Sequence, residues 1–118
     1  RLAEHEILNN VAELNQVIIG TGGGAPCYYN NMEVMNQTGL SIYLKLSPEI
    51  LSERLLHART SRPLVADKSD SELLAFITSK LNEREPYYSM AGLVVDAGRL
   101  SVEDYVQIIQ SSDELKEY

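Results

Sequence analysis

An α/β fold built on a mainly parallel sheet is what this sequence predicts, from three observations. Short apolar, strand-like runs at Val17–Ile19, Ser41–Leu46 and Leu93–Asp96 alternate with helical patterns. Such alternation implies a parallel sheet with right-handed crossovers. Helix-start signals stand where the alternation needs them, at Ser47-Pro48-Glu49 and at Ser69-Asp70. The first apolar run then empties into Gly20-Thr21-Gly22-Gly23-Gly24, a loop nearly bare of side chains.

The elements follow in order. Leu2, Ile7, Leu8, Val11 and Leu14 share one face of a helix over residues 2–14, with Glu6, Asn9, Asn10 and Glu13 off it. Val17–Ile19 is the first strand, short and buried. Asn30–Asn36 is a short helix with Met32 and Met35 turned inward, and Gly39 ends the connection to the strand at 41–46. The helix opened by Ser47 runs through Leu51, Arg54 and Leu55 to about His57. Residues 58–70 lack periodicity and are expected to form a mobile surface loop. A long helix then carries Leu73, Leu74, Ile77, Leu81 and Arg84, and Pro86 is expected to interrupt or kink it. Leu93–Asp96 is the third strand, Ala97-Gly98 a turn, and Ser101 opens a last helix ending near Gln110. The final residues are polar and expected to fray.

At 118 residues the chain makes one domain, 1–118, with 44% apolar residues for a small core. A net charge of −7 argues against a nucleic-acid or anionic-membrane surface, though a few arginines gathered in one cleft remain compatible with it. One cysteine, Cys27, permits a reducing compartment, and no membrane-length run or signal peptide is visible, so the expected location is cytoplasmic. His5 and His57 have no second ligand at metal-binding spacing, so no metal site is expected among these residues.

Three clusters are candidates for chemistry. Three consecutive glycines after a buried strand suit close backbone approach to a ligand, or simply a tight turn. Arg62, before Pro63, is either a solvated loop arginine or a phosphate-binding fork of donors. Arg84 stands near the end of a helix beside Pro86, Tyr87 and Tyr88, where a dipole partner and an anion grip look alike. Arg54 is by its position an exposed helical arginine, although a guanidinium plane can also stack on a purine. Cys27 has no local His partner for a nucleophile role.

Taken in order, Arg1-Leu2-Ala3-Glu4, the strand with Thr21-Gly22-Gly23-Gly24, Tyr43-Leu44-Lys45, Arg62-Pro63-Leu64 and Arg84-x-Pro86-x-Tyr88 resemble the last two-thirds of shikimate kinase. The resemblance implies a P-loop kinase-type parallel sheet with flanking helices, and phosphoryl transfer from ATP, with Mg²⁺, to the 3-hydroxyl of shikimate in aromatic amino-acid biosynthesis. It implies that Arg1 and Arg84 grip the shikimate carboxylate, with Glu4 orienting Arg1. Gly23 and Gly24 would offer backbone N–H groups to the ring. Arg62 would be the catalytic clamp on the transferring phosphate, in a lid over about 58–70, and would share nucleotide binding with Arg54, stacked on adenine.

The chain contains no GxxxxGK[ST] phosphate loop. The family's sheet order is 2-3-1-4-5, and these residues offer candidates for strands 3, 4 and 5 only. The expectation is therefore an incomplete sheet with unpaired edges, inactive alone, within a longer enzyme that supplies the metal seat. A monomer is expected, with shikimate and ATP as partners, or the missing N-terminal segment as complement. The alternatives are a non-catalytic shikimate-binding or regulatory module, and a related small-molecule kinase such as one for gluconate.

Overall fold

A computed structural model describes residues 1–57, 68–113 and 115. The described elements are α1 (Leu2–Val11), a 3₁₀ turn (Ala25–Cys27), α2 (Asn31–Thr38), β1 (Ile42–Lys45), α3 (Pro48–His57), α4 (Asp70–Tyr88), β2 (Leu93–Asp96) and α5 (Val102–Gln110). β1 and β2 pair in parallel, Ile42 opposite Leu93 and Lys45 opposite Asp96. The ladder is closed at its ends by Leu93 N–H to Ser41 O (3.0 Å) and Ala97 N–H to Lys45 O (2.8 Å). Two of the three predicted strands form, with α3 and α4 between them and α5 after them.

The helix starts obey local chemistry. Ser69 caps α4 by accepting from Glu72 N–H, and Ser101 and Asp104 form a reciprocal capping box on α5. Pro86 neither stops nor shortens α4, which runs on to Tyr88. A proline there gives up the bond to the Asn82 carbonyl and crowds that carbonyl, a local cost that the helix carries. Beyond it, Ser89, Met90 and Ala91 N–H groups close the helix end on Glu85, Tyr87 and Tyr88 carbonyls. The expected loop at 58–70 falls mostly outside the described residues; at its far end Ser69 is the cap and Asp70 already helical.

Val17–Ile19 corrects the prediction: it is not a strand. Among the described residues it has no ladder partner, and Ile18 is 102% exposed. A strand is defined by its neighbour, and extended backbone with apolar side chains gains nothing from pairing when no neighbour is there. The helix expected over 2–14 also ends earlier, at Val11, and its apolar stripe stays exposed at Leu2, Ile7 and Leu14.

The described core is small. Leu73 and Ile77 of α4 are buried against Leu51, Leu55, Leu56 and Phe76, which joins α3 to α4. Val95, Ala97, Met32 and Ala25 are buried elsewhere. The accessible surface is 8155 Å², against about 6,400 Å² for a folded monomer of this mass. Apolar side chains remain exposed, among them Leu44 and Val94 of the sheet and Val102 and Val106 of α5. Among the described residues no helix is long and apolar enough to cross a membrane.

Candidate anion site at the glycine turn

The C-terminal end of α4, the N-terminal end of α1 and the glycine turn converge. The turn is made by Ala25 N–H to Gly22 O (3.3 Å) and Cys27 N–H to Gly24 O (3.0 Å). The Tyr88 hydroxyl donates to Gly23 O at 2.5 Å, tying helix end to turn across 65 positions of sequence. None of the chain's glycines has positive φ. Gly23 and Gly24 are needed for room: a methyl on Gly23 would lie 2.8 Å from Arg84 Nη1 and 3.1 Å from the Tyr88 oxygen. A methyl on Gly24 would meet the Arg1 guanidinium, 2.6 Å from Nη1 and 2.7 Å from the central carbon. These are below any ordinary carbon contact.

Two guanidinium groups therefore bracket one turn. Arg1 is held by Glu4, Nη1 to Oε1 at 2.5 Å, and lies 4.4 Å above the Tyr28 ring. The Glu4 hydrogen bond raises the Arg1 pKa further. Arg84 is half-buried and makes no hydrogen bond or ion pair among the described residues. The N–H groups of Gly23 and Gly24 likewise have no acceptor there. An arginine with no carboxylate partner among the described residues, in a protein of net charge −7, set with a second guanidinium against one turn, has the donor geometry that suits an anion.

A polar network steadies the Arg84 end of α4. The Tyr43 hydroxyl donates to Glu85 Oε2 (2.7 Å), and Lys45 Nζ lies 3.2 Å from Glu85 Oε1. The Tyr43 hydrogen bond, then Lys45, hold the Glu85 carboxyl below its usual range. Burial, then Glu85, push the Tyr43 phenol up. The Tyr43 and Tyr88 rings lie 5.1 Å apart. β1 thus reaches the anion site through the residue beside Arg84.

Arg1, Glu4, Gly23, Gly24 and Arg84, all singled out from sequence, come together here. Arg54 does not: it lines a shallow cavity of 340 Å³ with Glu53, His57, Gly98 and Arg99. Arg62 lies outside the described residues. Sequence reasoning passed over Arg99. The tyrosine pairs at 28–29 and 87–88 read from sequence as packing and hydrogen-bonding residues, and they are: Tyr28 lies under Arg1 and Tyr88 bonds to Gly23, partners the sequence does not name. Cys27 Sγ lies 4.0 Å from Gly23 O, and burial, partly offset by Arg84 and Arg1, pushes its thiol up, away from a reactive thiolate.

The described residues form a parallel α/β unit with two arginines set against one glycine turn. Known proteins narrow the class. The family model described as shikimate kinase matches residues 1–113, and this chain belongs to that family. It is 44% identical over 117 residues to a shikimate kinase of Bacteroides thetaiotaomicron, covering 99% of this chain and 66% of the relative. A shikimate kinase of Parabacteroides distasonis is 42% identical over 112 residues, 95% of this chain and 65% of the relative. The crystal structure of shikimate kinase from Bacteroides thetaiotaomicron superposes with a TM-score of 0.84 at 42% identity, over 96% of this chain and 65% of that one. The chain thus spans just under two-thirds of the length of these relatives.

Proposed function

We propose that this chain captures shikimate and takes part in moving the γ-phosphoryl group of ATP to the 3-hydroxyl, releasing ADP. The Arg84 guanidinium over Gly23, without a partner among the described residues, and Arg1 over Gly24 carry the reading. A carboxylate bridging the two would be held by charge-assisted hydrogen bonds, and Glu4 would keep Arg1 aimed. Arg54, with Arg99 across its cavity, would receive the nucleotide base, and Arg62 would clamp the transferring phosphate.

The fold reading that goes with this makes β1 and β2 the fourth and fifth strands of the family's sheet. It also makes residues 58–70 the lid of a single domain. Phosphoryl transfer needs a phosphate seat and Mg²⁺. The 118 residues contain no GxxxxGK[ST] run, and no group of three metal-binding side chains occurs among the described residues. The metal does not fit the residues present, and no step is assigned to it. The substrate grip is the share of the reaction assigned to this chain, and turnover is not expected from these residues alone.

ADP release by the natural protein, with shikimate as acceptor, tests the proposal. Shikimate should drive release, gluconate should not compete, and Arg62→Ala should lower turnover more than shikimate affinity. Gluconate-driven release would replace shikimate by a different hydroxy acid. Shikimate binding with no nucleotide effect would favour the non-catalytic module.

A further inference from the structure

We propose that Tyr29 and His5 are positioning residues for Arg1, docking α1 so that its guanidinium stays over the glycine turn. The inference rests on the anion-capturing reading of that turn. Arg1, the N-cap of α1, and His5 stand four residues apart, joined by His5 N–H to Arg1 O at 3.1 Å, and so share a face. Consecutive tyrosines receive them: Tyr28 lies under the Arg1 guanidinium, and Tyr29 stacks on the His5 ring, centroids 4.6 Å apart and planes 20° apart. Neighbouring side chains of an extended segment point to opposite sides. Here both rings serve one helix because Tyr29 turns the chain with φ of 51°, in the left-handed region that bulky residues rarely enter. Such a conformation persists where its surroundings over-determine it.

Asn31 supplies the second hold. It is 1% exposed, and its Nδ2 donates to Ala25 O at 2.8 Å, at the end of the glycine turn. That bond fixes the amide orientation, so Oδ1 faces His5, and Nδ1–H of His5 donates to it at 2.7 Å. Asn9 Nδ2, donating to His5 O at 2.9 Å, braces the same turn of α1. The imidazole is thus held at one edge by Asn31 and across its face by Tyr29. Residues 28–31 are a cradle that sets α1, and through it Arg1, against Gly24.

If Tyr29 served only to turn the chain, glycine would do as well, because it enters the left-handed region freely. Tyr29→Gly in the full natural protein separates the two roles. The first readout needs no ligand: the ring-current shift of the Arg1 side-chain protons over Tyr28, read by NMR. The second is shikimate affinity by calorimetry. The variant should lose the Arg1 shift and bind shikimate about three- to tenfold more weakly, the scale of one lost aromatic stack. Its melting temperature should hold or rise as the strained residue is relieved. Tyr29→Phe keeps the stack and should restore both readouts. Should Tyr29→Gly not fold, Tyr29→Asn, which tolerates the same backbone, gives the same comparison. An Arg1 shift unchanged in the ring-less variant overturns the proposal. A parent protein that shows the shift but does not bind shikimate refutes the shikimate reading, while loss of the shift in the variant still supports the positioning role.

Discussion

The glycine turn and the segment just before it make an instructive pair. From Gly22 to Cys27 the backbone is fastened by its own 3₁₀ bonds, by the Tyr88 hydroxyl, and by two guanidinium groups that leave no room for side chains. From Val17 to Gly20 the chain is more apolar and more strand-like in composition, yet Ile18 is fully exposed and a methyl on Gly20 would meet nothing within 4 Å. Composition favoured the second segment; contacts order the first. A turn can satisfy itself within a few residues, whereas a strand is half of an interaction.

Substitutions can break that contrast, and the largest effect belongs to the fastened side. Arg84→Ala should weaken shikimate capture by about 10- to 100-fold, the range for charge-assisted hydrogen bonds. Nucleotide binding should change little. Equal losses in both titrations would remove Arg84 from the carboxylate grip. Gly24→Ala should come next, at about tenfold, because the new methyl evicts the Arg1 guanidinium and leaves the backbone, already in the ordinary helical region, unstrained. Calorimetry showing full affinity would mean that Arg1 reaches the ligand from elsewhere.

Glu85→Gln probes the brace behind Arg84 through pH. The Glu85 pKa is lowered on folding, so its contribution is present above about pH 4.5 and fades as pH falls through the lower folded value. Tyr43 has the opposite sign: its raised pKa favours the fold below about pH 10, a benefit lost as pH rises through the folded value. Urea midpoints should therefore separate parent and variant by about 1 kcal/mol or less at neutral pH. The separation should shrink toward pH 3; a constant difference would assign it to packing. The smallest effect is expected at the loose segment. Ile18→Lys in these 118 residues should shift stability by less than about 0.5 kcal/mol, as surface changes do. A loss above about 1 kcal/mol in a thermal melt would mean that this segment is covered after all.

What was legible in the sequence was what neighbours along the chain decide. Ser69 and Ser101 cap the helices they precede, and Leu73 and Ile77 face the core as their spacing predicts. The arginines and glycines of the turn were legible through their order along the chain, since no single cluster identifies a ligand. What was hidden depends on distant partners or on position within an element. Val17–Ile19 has strand composition and no strand beside it. Pro86 sits inside a helix that runs on to Tyr88, a continuation the residue itself argues against. Arg99 meets Arg54 across a cavity only once β2 is in place, and the left-handed Tyr29 has no signature in a pair of tyrosines.

The pairing of β1 with β2 joins residues 51 positions apart, Ile42 with Leu93. Closing so long a loop costs entropy before any ladder bond repays it, so this contact belongs late in folding, after α3 and α4 have met through Leu73. The Tyr43–Glu85 bond can form only then. Amide exchange should accordingly be slowest in the middle of α4 and faster in β1, with the last turn of α4 opening together with the strand. The end of α4 that carries Arg84 is then the part of its helix that matures last and lets go first.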